Sequence, residues 1–290
     1  MPSSEHDGLV HALLSAPAGI PTVDEFRTNF PVLVGASGVA EGRQIQDQAI
    51  NGVTCVRVAG DAGLPVLLWV HGGGLIAGTA GAHAAPLSHL FARIPTVVID
   101  YRLAPEHPLP KPLDDVLSVY RGLVDAGTGP IVLGGDSVGA GLALLAATML
   151  LEAGDLAPVG LALISPWTDF AVSEALADLV DEPDPLVNRE GLQAMSGAFR
   201  GSDSDEWLLS RREVKGLPPV HIEYGSREVL RVDVEALTDR LDSEGVAVTP
   251  VCSIGLVHIY PILLPRSPEG RAAGERLTRF VELCGSEVAS

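Results

Sequence analysis

Short, β-branched apolar runs alternate along this chain with longer stretches of helical period. That alternation is the pattern of a mostly parallel sheet covered by helices on both faces. Strands are predicted over residues 53–58, 66–70, 96–99, 131–134, 160–164, 220–224 and 246–251, and helices over 113–125, 138–153, 233–244 and 269–284. The last helix is amphipathic, with Ala273, Leu277, Phe280, Val281 and Cys284 roughly on one face. Residues 44–50 and 53–58 flank Asn51-Gly52 and read as an antiparallel hairpin, because Asn-Gly favours a type I′ turn. Two regions break the rhythm. Residues 1–40 carry helical apolar spacing (Leu9, Leu13, Leu14, then Val23, Phe26, Phe30), and residues 170–212 interrupt the sheet pattern with prolines, acids and Trp207. An insertion of that kind after a central strand often folds as a lid, so both regions are expected to form a cap on a single domain spanning 1–290.

Two glycine-rich motifs give this pattern a chemistry. Gly135-Asp136-Ser137-Val138-Gly139 follows an apolar run and has the form of a nucleophile elbow, a sharp strand-to-helix turn that lifts one serine clear of the backbone. His71-Gly72-Gly73-Gly74 supplies what such a serine also needs, backbone N–H groups aimed at a developing oxyanion. A serine nucleophile requires a base, and the base requires an acid that fixes its tautomer; in this arrangement they follow in the order Ser, Asp/Glu, His. His258 lies just after the final strand and is the expected base. The acid belongs after the strand at 220–224, where Glu228 and Asp233 are both available. Glu228 is preferred because it is nearer the strand end; Asp233 reads as a helix start, where an acid favours the dipole. Of the remaining histidines, His71 is expected to order its loop, His221 to be a satisfied strand residue and His107 to be structural, while His83 and His89 have no acid partner assignable from sequence. Trp167, Phe170, Phe199 and Trp207 are candidates for lining the acyl or alcohol pocket, with core packing an equal explanation for each.

Composition narrows the partners. The 290 residues carry 19 basic and 37 acidic side chains, a formal charge of −18, which argues against nucleic acid or an anionic membrane. The start of the chain lacks a basic lead into an apolar segment, and no apolar run is long enough to cross a bilayer. Cys55, Cys252 and Cys284 match neither a disulfide framework nor a zinc site. The expectation is a cytoplasmic protein acting on a small molecule, with no cofactor and no metal.

At this point the residues resemble the hormone-sensitive-lipase-like branch of the α/β-hydrolase carboxylesterases. The likeness is carried by His71–Gly74, the block Tyr101-Arg102-Leu103-Ala104-Pro105-Glu106-His107-Pro108, Gly135–Gly139, Ser165-Pro166-Trp167-Thr168-Asp169 and Val257-His258, in the family's order. It implies an α/β-hydrolase fold with a mostly parallel eight-stranded sheet and a small helical cap, and hydrolysis of short- to medium-chain acyl esters. Carried over, Ser137 would be the nucleophile, His258 the base and Glu228 the acid. The N–H groups of Gly73, Gly74 and Val138 would form the oxyanion hole, with Asp136 and residues 101–106 bracing the site. The sequence departs from the family pattern at Val138, usually alanine, whose branched side chain is expected to narrow the space beside the oxyanion. It departs again at Ala140, usually glycine, and at Glu228, usually aspartate. The resemblance also admits deacetylation of a specialised metabolite, lactonisation, dehydration or cyclisation on the same site, or a ligand-binding pseudo-hydrolase. An edge-strand homodimer is common in the family.

Overall fold

In chain order the strands are β1 (Ile45–Ile50), β2 (Val53–Val58), β3 (Val66–Val70), β4 (Thr96–Ile99), β5 (Ile131–Asp136), β6 (Gly160–Ile164), β7 (Val220–Gly225) and β8 (Val248–Ser253). They form one eight-stranded sheet in the order β1-β2-β4-β3-β5-β6-β7-β8. The β1–β2 and β2–β4 pairs are antiparallel and every other pair is parallel. The structure is a computed structural model that describes residues 2–15, 21–170, 184–199 and 207–288.

Side-chain alternation along the strands divides the core in two. Leu68, Val70, Leu133, Leu161 and Leu163 face one layer, into which α4 (Lys111–Asp125), α5 (Val138–Ala153) and α7 (Arg231–Ser243) send Leu113, Leu142 and Leu237. Leu67, Trp69, Val98, Val132 and Ile164 face the other, packed by α2 (Val23–Val34), α3 (Ala80–Leu90) and α9 (Pro268–Val288) through Phe30, Leu87 and Leu277. Two further helices, α1 (Ser4–Leu14) and α6 (Arg189–Phe199), and the short α8 (Tyr260–Leu263) complete the described elements. A capping box starts α2: Thr22 Oγ1 accepts the Glu25 N–H, and the Glu25 carboxylate accepts that of Thr22.

Most strand expectations coincide with the observed elements, and the differences have local causes. β5 runs two residues past its predicted end because Gly135 and Asp136 still pair with Leu163 and Ile164 of β6. β8 starts two residues later than predicted. Val246 is apolar, but it closes α7 instead: Gly245 takes φ 77° and donates to Asp242, and the Val246 N–H reaches the Leu241 carbonyl at 2.9 Å. The Asn51-Gly52 turn has φ 48° and 84°, the type I′ geometry expected of it. Part of the expected cap, residues 171–183 and 200–206, lies outside the described residues.

Candidate active site

Strands β3 and β5 are parallel neighbours with Val70 opposite Gly135, so the loops leaving their carboxyl ends start side by side. This is where the sheet order reverses direction, the place where open α/β sheets bind ligands. Ser137 takes φ 54° and ψ −126°, a conformation a side chain rarely adopts, between β5 and α5. It is held there by its own backbone: its N–H donates to the Ile164 carbonyl at 2.9 Å and its carbonyl accepts the Trp167 N–H at 3.1 Å. The turn also needs glycine beside it, because a Cβ on Gly139 would stand 2.2 Å from the Val70 carbonyl oxygen.

Two loops from the other half of the sheet converge on this serine. His258 follows β8, and its Nε2 lies 2.9 Å from Ser137 Oγ. Glu228 follows β7; one carboxylate oxygen lies 2.8 Å from His258 Nδ1, and the other accepts the Gly225 N–H at 3.1 Å. Both carboxylate oxygens of Glu228 are thereby engaged. Asp233 sits in the first turn of α7 and has no such contact with His258 among the described residues. Glu228 and His258 are both buried. Burial disfavours the charged imidazole, but the hydrogen bond and charge of Glu228, with the charges of Asp184 and Asp136, outweigh it and raise His258 above the ordinary histidine range.

The glycine-rich loop after β3 folds back on itself, the Gly73 carbonyl accepting the N–H groups of Ile76 at 3.1 Å and Ala77 at 2.9 Å. Gly73 and Gly74 take φ 112° and 64° and line the same cavity as Ser137. Beneath the loop, the His71 ring stacks between Tyr101 and His83, at centroid distances of 4.2 and 5.0 Å. The Tyr101 hydroxyl donates to the His71 carbonyl at 2.7 Å. Burial pushes His71 down to about 3, so it is a neutral spacer. His83 has the acid partner that sequence could not assign: its Nε2 is 3.6 Å from Asp136, whose other oxygen accepts the Trp69 indole N–H at 2.9 Å. Burial raises Asp136, yet His83 and the Trp69 bond outweigh it and hold the carboxyl below its usual range. From outside, Arg27 of α2 donates to the Ile76 carbonyl at 2.8 Å and the Ala104 carbonyl at 2.8 Å, and pairs with Glu106.

A narrow cavity of about 50 Å³ opens onto Ser137 and His258. Phe26 and Phe30 of α2, Trp167, and Leu186, Val187, Leu192 and Met195 of the insertion form its apolar walls. Among the described residues, no group of three or more His, Cys, Asp or Glu side chains is disposed to hold a metal ion, and no helix is long and apolar enough to cross a membrane.

This geometry has close counterparts among known proteins. Residues 67–262 match a family described as having the alpha/beta hydrolase fold. An acetyl-hydrolase of Streptomyces hygroscopicus is 33% identical over 228 residues, covering 76% of this chain and 76% of that protein. An esterase of Acinetobacter venetianus is 30% identical over 247 residues, covering 82% and 81%. A crystal structure of an esterase from the bacterial hormone-sensitive lipase family superposes with a TM-score of 0.89 at 29% identity, covering 98% of this chain and 99% of that one. The chain belongs to the hormone-sensitive-lipase-like α/β-hydrolase carboxylesterases.

As a carboxylic ester hydrolase, it brings Ser137, His258 and Glu228 together with Gly73 and Gly74. Of the four aromatic candidates Trp167 lines the cavity, whereas Phe170 and Phe199 pack edge-on against it and each other at 5.4–6.1 Å, and Trp207 lies against the main core. The Val138 side chain is fully buried in the core layer. Met195 packs over Gly74, where an added Cβ would meet its Sδ at 2.2 Å. Phe26 and Phe30 were visible in sequence only as one face of an N-terminal helix, and nothing local marks that face as a substrate wall.

Proposed function

We propose that this carboxylesterase hydrolyses short- to medium-chain esters of small alcohols through an acyl-enzyme at Ser137. The observation that carries the reading is the unbroken line from Ser137 Oγ through His258 to Glu228, at 2.9 and 2.8 Å. In it, His258 Nε2 takes the Ser137 proton as Oγ attacks the ester carbonyl. Glu228 holds the other ring nitrogen protonated and stabilises the imidazolium. The oxyanion is received by the N–H groups of Gly73, Gly74 and Val138. The last is the first residue of α5, where an N–H has no acceptor within the helix. Each such donor is typically worth about 2.7–4 kcal/mol of barrier. The imidazolium then protonates the departing alcohol, and His258 activates a water that releases the acid and restores Ser137.

The small cavity supports the short end of the acyl range, since sites for drug-sized ligands run to roughly 300 Å³ and above. The same smallness, with an acetyl-hydrolase among the relatives, supports a second reading in which the acyl group is acetate and the alcohol a larger metabolite.

Ser137→Ala is expected to lower p-nitrophenyl butyrate turnover by roughly 10⁴-fold or more. A fluorophosphonate probe should label the parent protein at Ser137 and leave the variant unlabelled. Parent-like turnover in the variant would overturn the proposal. A preference for acetyl esters with bulky alcohols over p-nitrophenyl butyrate would select the deacetylase reading.

A further inference from the structure

The insertion between β6 and α6 carries one partly buried carboxylate that is held by three backbone N–H groups. Asp184 Oδ1 accepts the backbone N–H groups of Leu186 at 2.9 Å and Val187 at 3.3 Å, both residues of the cavity wall. Its Oδ2 accepts the N–H of Val229 at 3.2 Å, crossing to the residue immediately after Glu228. A turn-forming Asp normally sits at the surface, where water offsets its charge. This one is partly withdrawn from solvent. Burial lifts the carboxyl to about 6 and the Glu228 charge adds to that rise, while His258 and the N–H donors oppose it. The charged groups around His258 are Glu228, by hydrogen bond, and Asp184 and Asp136, through space.

We propose that Asp184 is a positioning residue of the ester-hydrolysing site: it fastens the acyl-cavity wall to the Glu228 loop and sets a second negative charge behind His258. The inference rests on reading Ser137, His258 and Glu228 as the catalytic relay. During attack the proton moves from Ser137 Oγ to His258 Nε2, and the resulting cation is stabilised by the hydrogen-bonded Glu228 carboxylate and, through space, by a second carboxylate delivered by the insertion. Substrate walls and base strength are thereby coupled, because displacing the insertion withdraws both.

The test is the pH profile of kcat/KM from pH 5 to 9 for Asp184→Asn and the charge-retaining Asp184→Glu, each checked for folding by circular dichroism. Removing the charge leaves the imidazolium less stabilised, so the acid limb of Asp184→Asn moves to lower pH while the plateau falls. The plateau loss is expected to be about five- to tenfold, the size of a through-space charge interaction at a partly screened site. The same interaction lowers the acid limb by about 0.7–1 pH unit. Asp184→Glu should keep its acid limb within about 0.2 pH unit of the parent. A role confined to structure would lower the plateau without moving the limb, and an unmoved limb in folded Asp184→Asn overturns the proposal. If that variant does not fold, Asp184→Ser takes its place; failure of both to fold assigns the carboxylate to stability and also overturns it. Ser137→Ala keeps the two readings apart. An inactive Ser137→Ala beside an unmoved Asp184→Asn limb removes the Asp184 inference alone, whereas an active Ser137→Ala removes the relay beneath it.

Discussion

A glutamate at position 228 does what a shorter acid could do only from a different loop position. With one oxygen on the Gly225 N–H and the other on His258 Nδ1, the carboxylate is fixed at both ends and buried. The consequence is readable in solution. His258 must be neutral to accept the serine proton, and its raised folded-state value means that this neutral form is lost at a higher pH than for a free histidine. The acid limb of kcat/KM is therefore expected above about pH 6.5. Glu228→Gln keeps the size but loses the charge and the forced tautomer. It should move that limb down by about one pH unit or more and cut kcat by roughly 10³- to 10⁴-fold; stopped-flow or steady-state profiles of the two proteins check both.

At the scale of elements, the elbow depends on how closely α5 approaches the end of β3. Gly139→Ala would drive a methyl group into the Val70 carbonyl, 2.2 Å away, with backbone on both sides and no flexible partner to yield. We expect a loss of about 3 kcal/mol, measured as a lower urea midpoint, together with lost activity as Ser137 shifts. Sequence carried much of this level. Strands β2, β3, β4 and β6 and helix α5 were legible because β-branched runs and a long apolar stretch have few other folds open to them. Helix α3 was not, since Ala80, Ala84, Leu87 and Leu90 are buried together with His83, Pro86 and Ser88, and a helix covered nearly all round leaves no amphipathic period to detect. Ser137, His258 and Glu228 were legible because motif and strand order limit where each can fall. The His83–Asp136 contact was not, because it joins a helix to a strand end more than fifty residues later, with no shared motif.

Across the whole molecule, the chemistry comes from strand ends, while the cavity walls come from α2, before the sheet begins, and from the insertion after β6. Met195 reaches from α6 over Gly74 and lines that space. Met195→Ala should lengthen the cavity without disturbing the relay. The kcat/KM ratio of p-nitrophenyl hexanoate to acetate is expected to rise about tenfold, the usual worth of a few methylene-sized contacts; an acyl-length series on both proteins measures it.

Arg27 gives this division of labour a mechanical side. One guanidinium grips the main chain of both the glycine loop and the Tyr101–Pro108 block, from the same helix that presents Phe26 and Phe30 to the cavity. The cavity wall and the glycine-rich loop thus share a fastening outside the sheet. Exchanging the leading forty residues for those of a cousin would retune which esters fit and, in the same stroke, how firmly the amide cradle is braced.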